Sequence, residues 1–216
     1  MGYDAFVFDN DGVLTRPTDR GVLVEAIRAA FDEVGVAEPT SHEVETLLGP
    51  DVDTLRTVAA DRELEPETLW AARERAAIQA QLEELRKGRK RPYEDVTALE
   101  RLEEPTAIVS NNQHETIGNI LDHCSLAPFD VWYGREPTLE GVQRKKPEPY
   151  YLERAIDDLG AENPIYVGDS RVDVAAADAL GIDAAFVRRD HRRGYDLPTE
   201  PTYEIDSLAE LRELPR

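Results

Sequence analysis

Apolar residues recur along this chain in two rhythms, and the rhythm changes near residues 17 and 91. Residues 3–8 (Tyr-Asp-Ala-Phe-Val-Phe) are a short aromatic and β-branched run closed by a polar turn, which predicts an opening strand. From Gly21 to Arg86 the spacing turns helical. Leu23, Ala26, Ile27, Ala30, Phe31 and Val34 fall on one face and stop at Gly35. Further helices are predicted from Ser41 through Leu48, from Val52 to Arg62 and from Glu67 to Arg86. The basic run Lys87-Gly88-Arg89-Lys90-Arg91-Pro92 breaks the pattern and reads as a linker.

Beyond Pro92, strands and helices alternate. A short helix over 96–102 leads to a strand at 106–109, and a helix over 112–124 precedes an extended segment at 131–133. A helix over 149–159 leads to a strand at 165–167, and a helix over 172–180 to a strand at 184–187. Alternation of this kind implies parallel pairing in an open α/β sheet. The opening strand belongs to that sheet. The expected architecture is therefore a Rossmann-like α/β core formed by residues 1–16 and 91–216, with an all-helical domain, residues 17–90, inserted after the first strand.

Charge narrows the class. Lys and Arg total 25 against 45 Asp and Glu, a net charge of −20 with only four histidines. Such a chain lacks the basic face that nucleic acid requires. No apolar run approaches the roughly 18 residues needed to span a bilayer, and Met1-Gly2-Tyr3-Asp4 lacks the basic and apolar regions of a signal peptide. A lone Cys124 forms no internal disulfide, so a cytoplasmic location is expected. Lysine stands only at 87, 90, 145 and 146. A large acidic excess with so little lysine resembles proteins of salt-loving organisms, in which salt relieves self-repulsion.

Candidate chemistry gathers at the predicted strand ends, where open α/β sheets bind ligands. The first strand ends in Phe8-Asp9-Asn10-Asp11-Gly12, the second in Val109-Ser110-Asn111, and the fourth in Gly168-Asp169-Ser170-Arg171-Val172-Asp173; Lys145-Lys146-Pro147-Glu148-Pro149 lies ahead of the fourth. A tight Asp-Gly turn accounts for Asp11 but not for a second carboxylate at Asp9, since two like charges so close need a cation. Asn112 to Glu115 reads as a capping box, leaving free N–H groups for an anion. A capping box also accounts for Asp173, three residues after Ser170, and its metal role is left open. Two of the four lysines fall together at 145 and 146, where a compact ammonium acts as a point charge. His42, His114, His123 and His191 have no zinc-site spacing and are expected at the surface or at helix caps. The basic run at 86–91 is expected to be a solvated helix end.

The ordered set Asp-x-Asp-Gly, Ser-Asn, Lys-Pro-x-Pro and Gly-Asp-Ser-x-x-Asp resembles the haloacid dehalogenase-like hydrolases, specifically their Mg²⁺-dependent phosphatases with a helical cap. Pro92-Tyr93-Glu94-Asp95-Val96 looks like the return from cap to core in that family, and Arg16 departs from it where many relatives are acidic. The resemblance implies that Asp9 is the nucleophile and Asp11 the general acid and base. It implies that Ser110, Asn111 and Lys146 hold the phosphoryl group. Mg²⁺ is expected on Asp9, on Asp11 through its backbone carbonyl, and on Asp169, with Asp173 in an outer or water-mediated position. The expected substrate is a small phosphomonoester, phosphoglycolate by default, with sugar phosphates and nucleoside monophosphates open. A phosphosugar mutase shares this core and stays an alternative. Relatives that dehalogenate lack the second motif carboxylate, so Asp11 argues against that activity. In a phospho-receiver module the lysine follows the other motifs, whereas here Lys146 precedes Asp169. Oligomeric state is not legible.

Overall fold

The computed structural model describes residues 2–126 and 128–214. Six parallel strands form one sheet: β1 (Ala5–Phe8), β2 (Thr106–Gln113), β3 (Val131–Arg135), β4 (Pro164–Gly168), β5 (Asp183–Val187) and β6 (Tyr203–Ile205). Their spatial order is β3-β2-β1-β4-β5-β6. The order reverses between β1 and β4, so a crevice opens beyond the carboxyl ends of those two strands.

The strands read as unbroken apolar runs because both faces of the sheet are covered. Phe6, Phe8, Ile108, Ile165 and Val167 pack on one face with Leu14, Val96, Ile117 and Leu208. Val7, Ala107, Val109 and Tyr166 pack on the other with Tyr151, Leu152 and Ala177. Alternation with period two sends neighbours in each strand to opposite layers. The covering helices are α5 (His114–His123), α7 (Tyr150–Leu159) and α8 (Arg171–Leu180), and a one-turn helix α6 (Leu139–Gln143) precedes α7.

Between β1 and β2 run four helices: α1 (Arg20–Glu33), α2 (Ser41–Leu48), α3 (Val52–Asp61) and α4 (Pro66–Arg86). They share an apolar cluster in which Ile27, Phe31, Leu47, Leu55 and Leu69 are buried. Local chemistry sets their ends. Thr40 and Glu43 make a capping box on α2, Asp51 caps α3, and Pro66 occupies the first turn of α4. The segments entering and leaving this helical region lie side by side, with Arg16 N–H donating to Arg91 C=O (2.9 Å) and Tyr93 N–H to Leu14 C=O (3.0 Å).

Two expectations need correction. β2 continues through Asn112 to Gln113, and α5 starts at His114 with no side-chain cap, so the capping box over Asn112–Glu115 does not form. Asn112 instead turns its amide to Asp11. The basic run is not uniformly solvated. Exposed Lys87 pairs with exposed Glu83, exposed Arg89 reaches the buried Glu84, and the Lys90 side chain is fully buried. His191 is exposed, as expected, and its Nε2 lies 2.7 Å from Asp169 Oδ2. Arg16 lies over the Tyr93 ring, 5.1 Å from its centroid.

Candidate active site

β1 is paired on both sides, so the residue after it is delivered to the centre of the sheet edge. Asp9 is buried there, its N–H donating to Val167 C=O of β4 (2.9 Å). The next turn is closed by the Asn10 carbonyl, which accepts from the N–H groups of Val13, Leu14 and Thr15. Gly12 occupies φ +92°, and a Cβ there would lie 2.2 Å from Asp169 Oδ2. Only glycine fits between the turn and that carboxylate.

Asp169 follows β4, and Asp173 lies in the first turn of α8, where the expected capping box with Ser170 is formed. Oxygen atoms of Asp9, Asp169 and Asp173 lie within 4.8 Å of one another, and all three residues are buried. One ammonium faces them. Lys146 Nζ donates to Asp9 Oδ1 (2.9 Å), Asp173 Oδ1 (2.6 Å) and Val109 C=O (3.0 Å), and lies 2.5 Å from the Tyr166 hydroxyl oxygen. The Asn111 side chain fixes the backbone of this lysine from both directions. Its Nδ2 donates to Lys146 C=O (2.9 Å) and its Oδ1 accepts from Lys146 N–H (2.8 Å).

The two carboxylates that share Lys146 are driven opposite ways. Burial, with the negative charges of Asp173 and Asp169, outweighs the Lys146 ammonium and pushes Asp9 up to about 7. Burial also acts upward on Asp173, but Lys146 and the Ser170 hydroxyl and N–H bonds overcome it and hold that carboxyl below its usual range. Both Asp173 oxygens are engaged: Oδ1 by Lys146 and the Tyr166 hydroxyl, Oδ2 by Ser170 and the Asp169 N–H. Lys146 itself is raised, because the two carboxylates more than offset its burial.

The Asp11 side chain points away from this cluster. Lys90 Nζ and Asn112 Nδ2 (2.6 Å) donate to its two oxygens. Lys90 also reaches the Arg16 carbonyl (3.4 Å) at the start of the helical region. Ser110 is buried within β2, just before its pairing with β3 shifts register, and its hydroxyl accepts from Asn112 N–H (3.2 Å). On the far side, Arg192 Nε (2.8 Å) and His191 converge on Asp169 Oδ2. Arg192 was not singled out from the sequence, and Lys90 and His191 were read there only as part of a solvated helix end and as a surface or capping histidine. Only the scarcity of lysine marked Lys90, and the other two lie in a run whose charges look like any exposed loop.

This donor set fits a hard divalent cation. Buried carboxylate oxygens are the ligands such an ion takes, and burial, joined by the charges of Asp173 and Asp169, holds Asp9 above its ordinary value while no cation is bound. Asp9 and Asp169 retain unused oxygens, whereas Asp173 does not offer a free one.

The profile of the haloacid dehalogenase-like hydrolase family matches residues 6–187. A phosphoglycolate phosphatase of Neisseria meningitidis is 29% identical to this chain over 97% of its length and 92% of the relative's. One of Neisseria gonorrhoeae is 30% identical over the same shares. Among solved structures, CbbY from Rhodobacter sphaeroides in complex with phosphate matches with a TM-score of 0.73 at 19% identity, covering 97% of this chain and 96% of that one. A putative β-phosphoglucomutase of Thermotoga maritima matches with a TM-score of 0.61, also at 19% identity, over 97% of each chain. At those identities the two structures speak for the fold alone. The profile match spans most of the chain, and this chain belongs to the haloacid dehalogenase-like hydrolases.

Proposed function

We propose that this protein is a Mg²⁺-dependent phosphatase that hydrolyses a small phosphomonoester through an aspartyl-phosphate on Asp9. The observation that carries this reading is the buried Asp9 carboxylate, bonded to Lys146 and within 4.8 Å of Asp169 and Asp173 at the reversal of strand order. The phosphatase relatives support it.

In the first step an Asp9 oxygen attacks phosphorus in line, the bond to the ester oxygen breaks, and Asp11 gives that oxygen a proton. Water then attacks the phosphorus of the acyl phosphate, Asp11 takes its proton, and inorganic phosphate leaves with Asp9 restored. Lys90 and Asn112 orient the Asp11 carboxyl for both transfers. The Ser110 hydroxyl and the Asn111 N–H hold phosphoryl oxygens, and Lys146 balances charge on Asp9 and the transferring group. Asp9, Asp169 and the Asp11 carbonyl would hold Mg²⁺, whose charge allows a carboxylate to approach a phosphate dianion. Asp173 acts through Lys146 rather than as a direct ligand. Residues 17–90 serve as a cap over the site and residues 1–16 and 91–216 as the catalytic core; the cap excludes water and shapes the leaving-group pocket.

The test is phosphate release from a panel of small phosphomonoesters in high KCl, with and without Mg²⁺. Release should need Mg²⁺ and vanish in Asp9→Asn, while the circular dichroism of the variant stays that of the parent. Turnover of Asp9→Asn within about tenfold of the parent would defeat the assignment. Sugar-phosphate interconversion primed by a bisphosphate, without net release, would move the reading to a mutase.

A further inference from the structure

Asp169 is gripped by a segment that no motif marks. A single 3-10 turn, Asp190–Arg192, follows β5. Arg192 Nε donates to Asp169 Oδ2 (2.8 Å), and His191 Nε2 lies 2.7 Å from the same oxygen. The other carboxylate oxygen, Oδ1, takes no hydrogen bond from the described residues.

The turn is anchored on several sides. Arg189 Nη2 donates to the Val13 carbonyl (2.7 Å), in the loop that follows Asp9 and Asp11, and its two terminal nitrogens pair with Asp95 (2.7 and 3.0 Å). Arg188 Nη1 donates to the carbonyls of Arg192 and Tyr195 (3.2 Å each). The Arg192 guanidinium lies over the Tyr195 ring, 4.7 Å from its centroid, and its side chain is 27% exposed. A guanidinium held by its face is already oriented when its edge meets a carboxylate, so little further freedom is lost.

A carboxylate gripped at one oxygen offers a cation only the other. The neighbouring carboxylates are restricted in the same way. Lys146 occupies Asp9 Oδ1, and both oxygens of Asp173 are engaged. The cluster therefore presents its carboxylate oxygens singly and not as a two-oxygen fork. That bears on the choice of ion. Mg²⁺ accepts single oxygens at about 2.0–2.1 Å in a near-octahedral shell and keeps several waters. Ca²⁺ takes about six to eight oxygens at about 2.3–2.6 Å and commonly uses both oxygens of a carboxylate.

We propose that Arg192, supported by His191, makes this site discriminate against Ca²⁺: by occupying Oδ2 it denies the larger ion a bidentate Asp169. The inference rests on the Mg²⁺-dependent reading of the site and goes beyond it by naming what sets the ion's identity. Arg192 is a positioning residue that acts through Asp169. Its positive charge also weakens the attraction for any cation, but that loss falls alike on two ions of equal charge. The ratio of their affinities therefore isolates the grip on Oδ2 from the charge.

The test is calorimetric titration of the full chain with MgCl₂ and with CaCl₂ in high KCl, without substrate. Heat that remains in Asp169→Asn is subtracted as binding to the acidic surface. The ratio of Mg²⁺ to Ca²⁺ affinity should fall by about tenfold or more in Arg192→Met, the scale on which groups behind a metal ligand act. Exposed His191→Ala should move the ratio the same way by a smaller factor, and Arg192→Lys, which keeps a charged donor, should retain most of the parent's ratio. Crystals of Arg192→Met grown with Ca²⁺ should show both Asp169 oxygens on the ion, and crystals of the parent only one. Equal changes for the two ions, or a bidentate Asp169 in the parent's Ca²⁺ complex, would overturn the proposal and leave the Mg²⁺-dependent reading standing. A parent that binds neither ion above the Asp169→Asn background would defeat both.

Discussion

Gly12 shows how closely the site depends on single atoms. Its φ of +92° suits glycine, and the Cβ of any other residue would land 2.2 Å from Asp169 Oδ2. Gly12→Ala meets backbone strain of about 1–2 kcal/mol and also pushes away a carboxylate expected to hold the cation. Activity should fall by at least about tenfold and the Mg²⁺ concentration giving half-maximal rate should rise, because the damage is to a ligand's position. A variant with the parent's Mg²⁺ midpoint would show that Asp169 is not held by this contact. Asp9 and Asp173 teach a related lesson. Both are buried beside the same ammonium, yet Asp173 has both oxygens engaged and Asp9 only one, which fits the nucleophilic role proposed for Asp9.

At the scale of elements, the helical region is held partly by one acid-sensitive joint. Glu43, in the first turn of α2, accepts from the Thr40 N–H (2.6 Å) and from Arg62 at the end of α3 (2.5 and 2.7 Å). The Arg62 bonds, opposed by burial and aided by Thr40, draw Glu43 from 4.5 down to about 2. A carboxylate whose folded pKa is depressed stabilises the fold above its unfolded value and loses that contribution as pH falls through the folded one. The joint should therefore weaken between about pH 4.5 and about pH 2. Measured by thermal unfolding, parent and Glu43→Gln should differ most near neutrality and converge in acid; a constant gap in Tm would contradict this. The long elements were legible in the sequence because burial on one or both sides imposes a period, as in β1, α1 and α4. β6 and α6 were not, since three residues of Tyr-Glu-Ile and five of α6 are too short to show one. Asn112 looked like a cap because its local pattern competes with strand continuation, and pairing beside β3 together with the bond to Asp11 decides for the strand. Asp9, Asp11, Asp169 and Lys146 stood out as motif residues, whereas Lys90 reaches Asp11 across 79 positions, a distance no local pattern encodes.

For the whole molecule the dominant quantity is the net charge of −20. Ion pairs such as Arg20 with Glu45 and Arg75 with Glu33 are exposed and contribute little singly, so unscreened repulsion among the excess carboxylates works against compactness. Tm should climb as KCl is raised from about 0.1 M, where the screening length is about 10 Å, toward molar concentrations. A flat or falling Tm over that range would mean that the surface is already internally neutralised. Among the described residues no helix is long and apolar enough to cross a membrane. β1, finally, places its residues between partners far along the chain: Phe6 pairs with Thr106 on one side and Ile165 on the other. The ribosome makes the strand that leads into Asp9 before either partner, so it cannot be seated until both have emerged. The helical region, whose contacts are nearer in sequence, is free to assemble while β1 waits, and chemistry becomes possible only after β4 has closed the sheet.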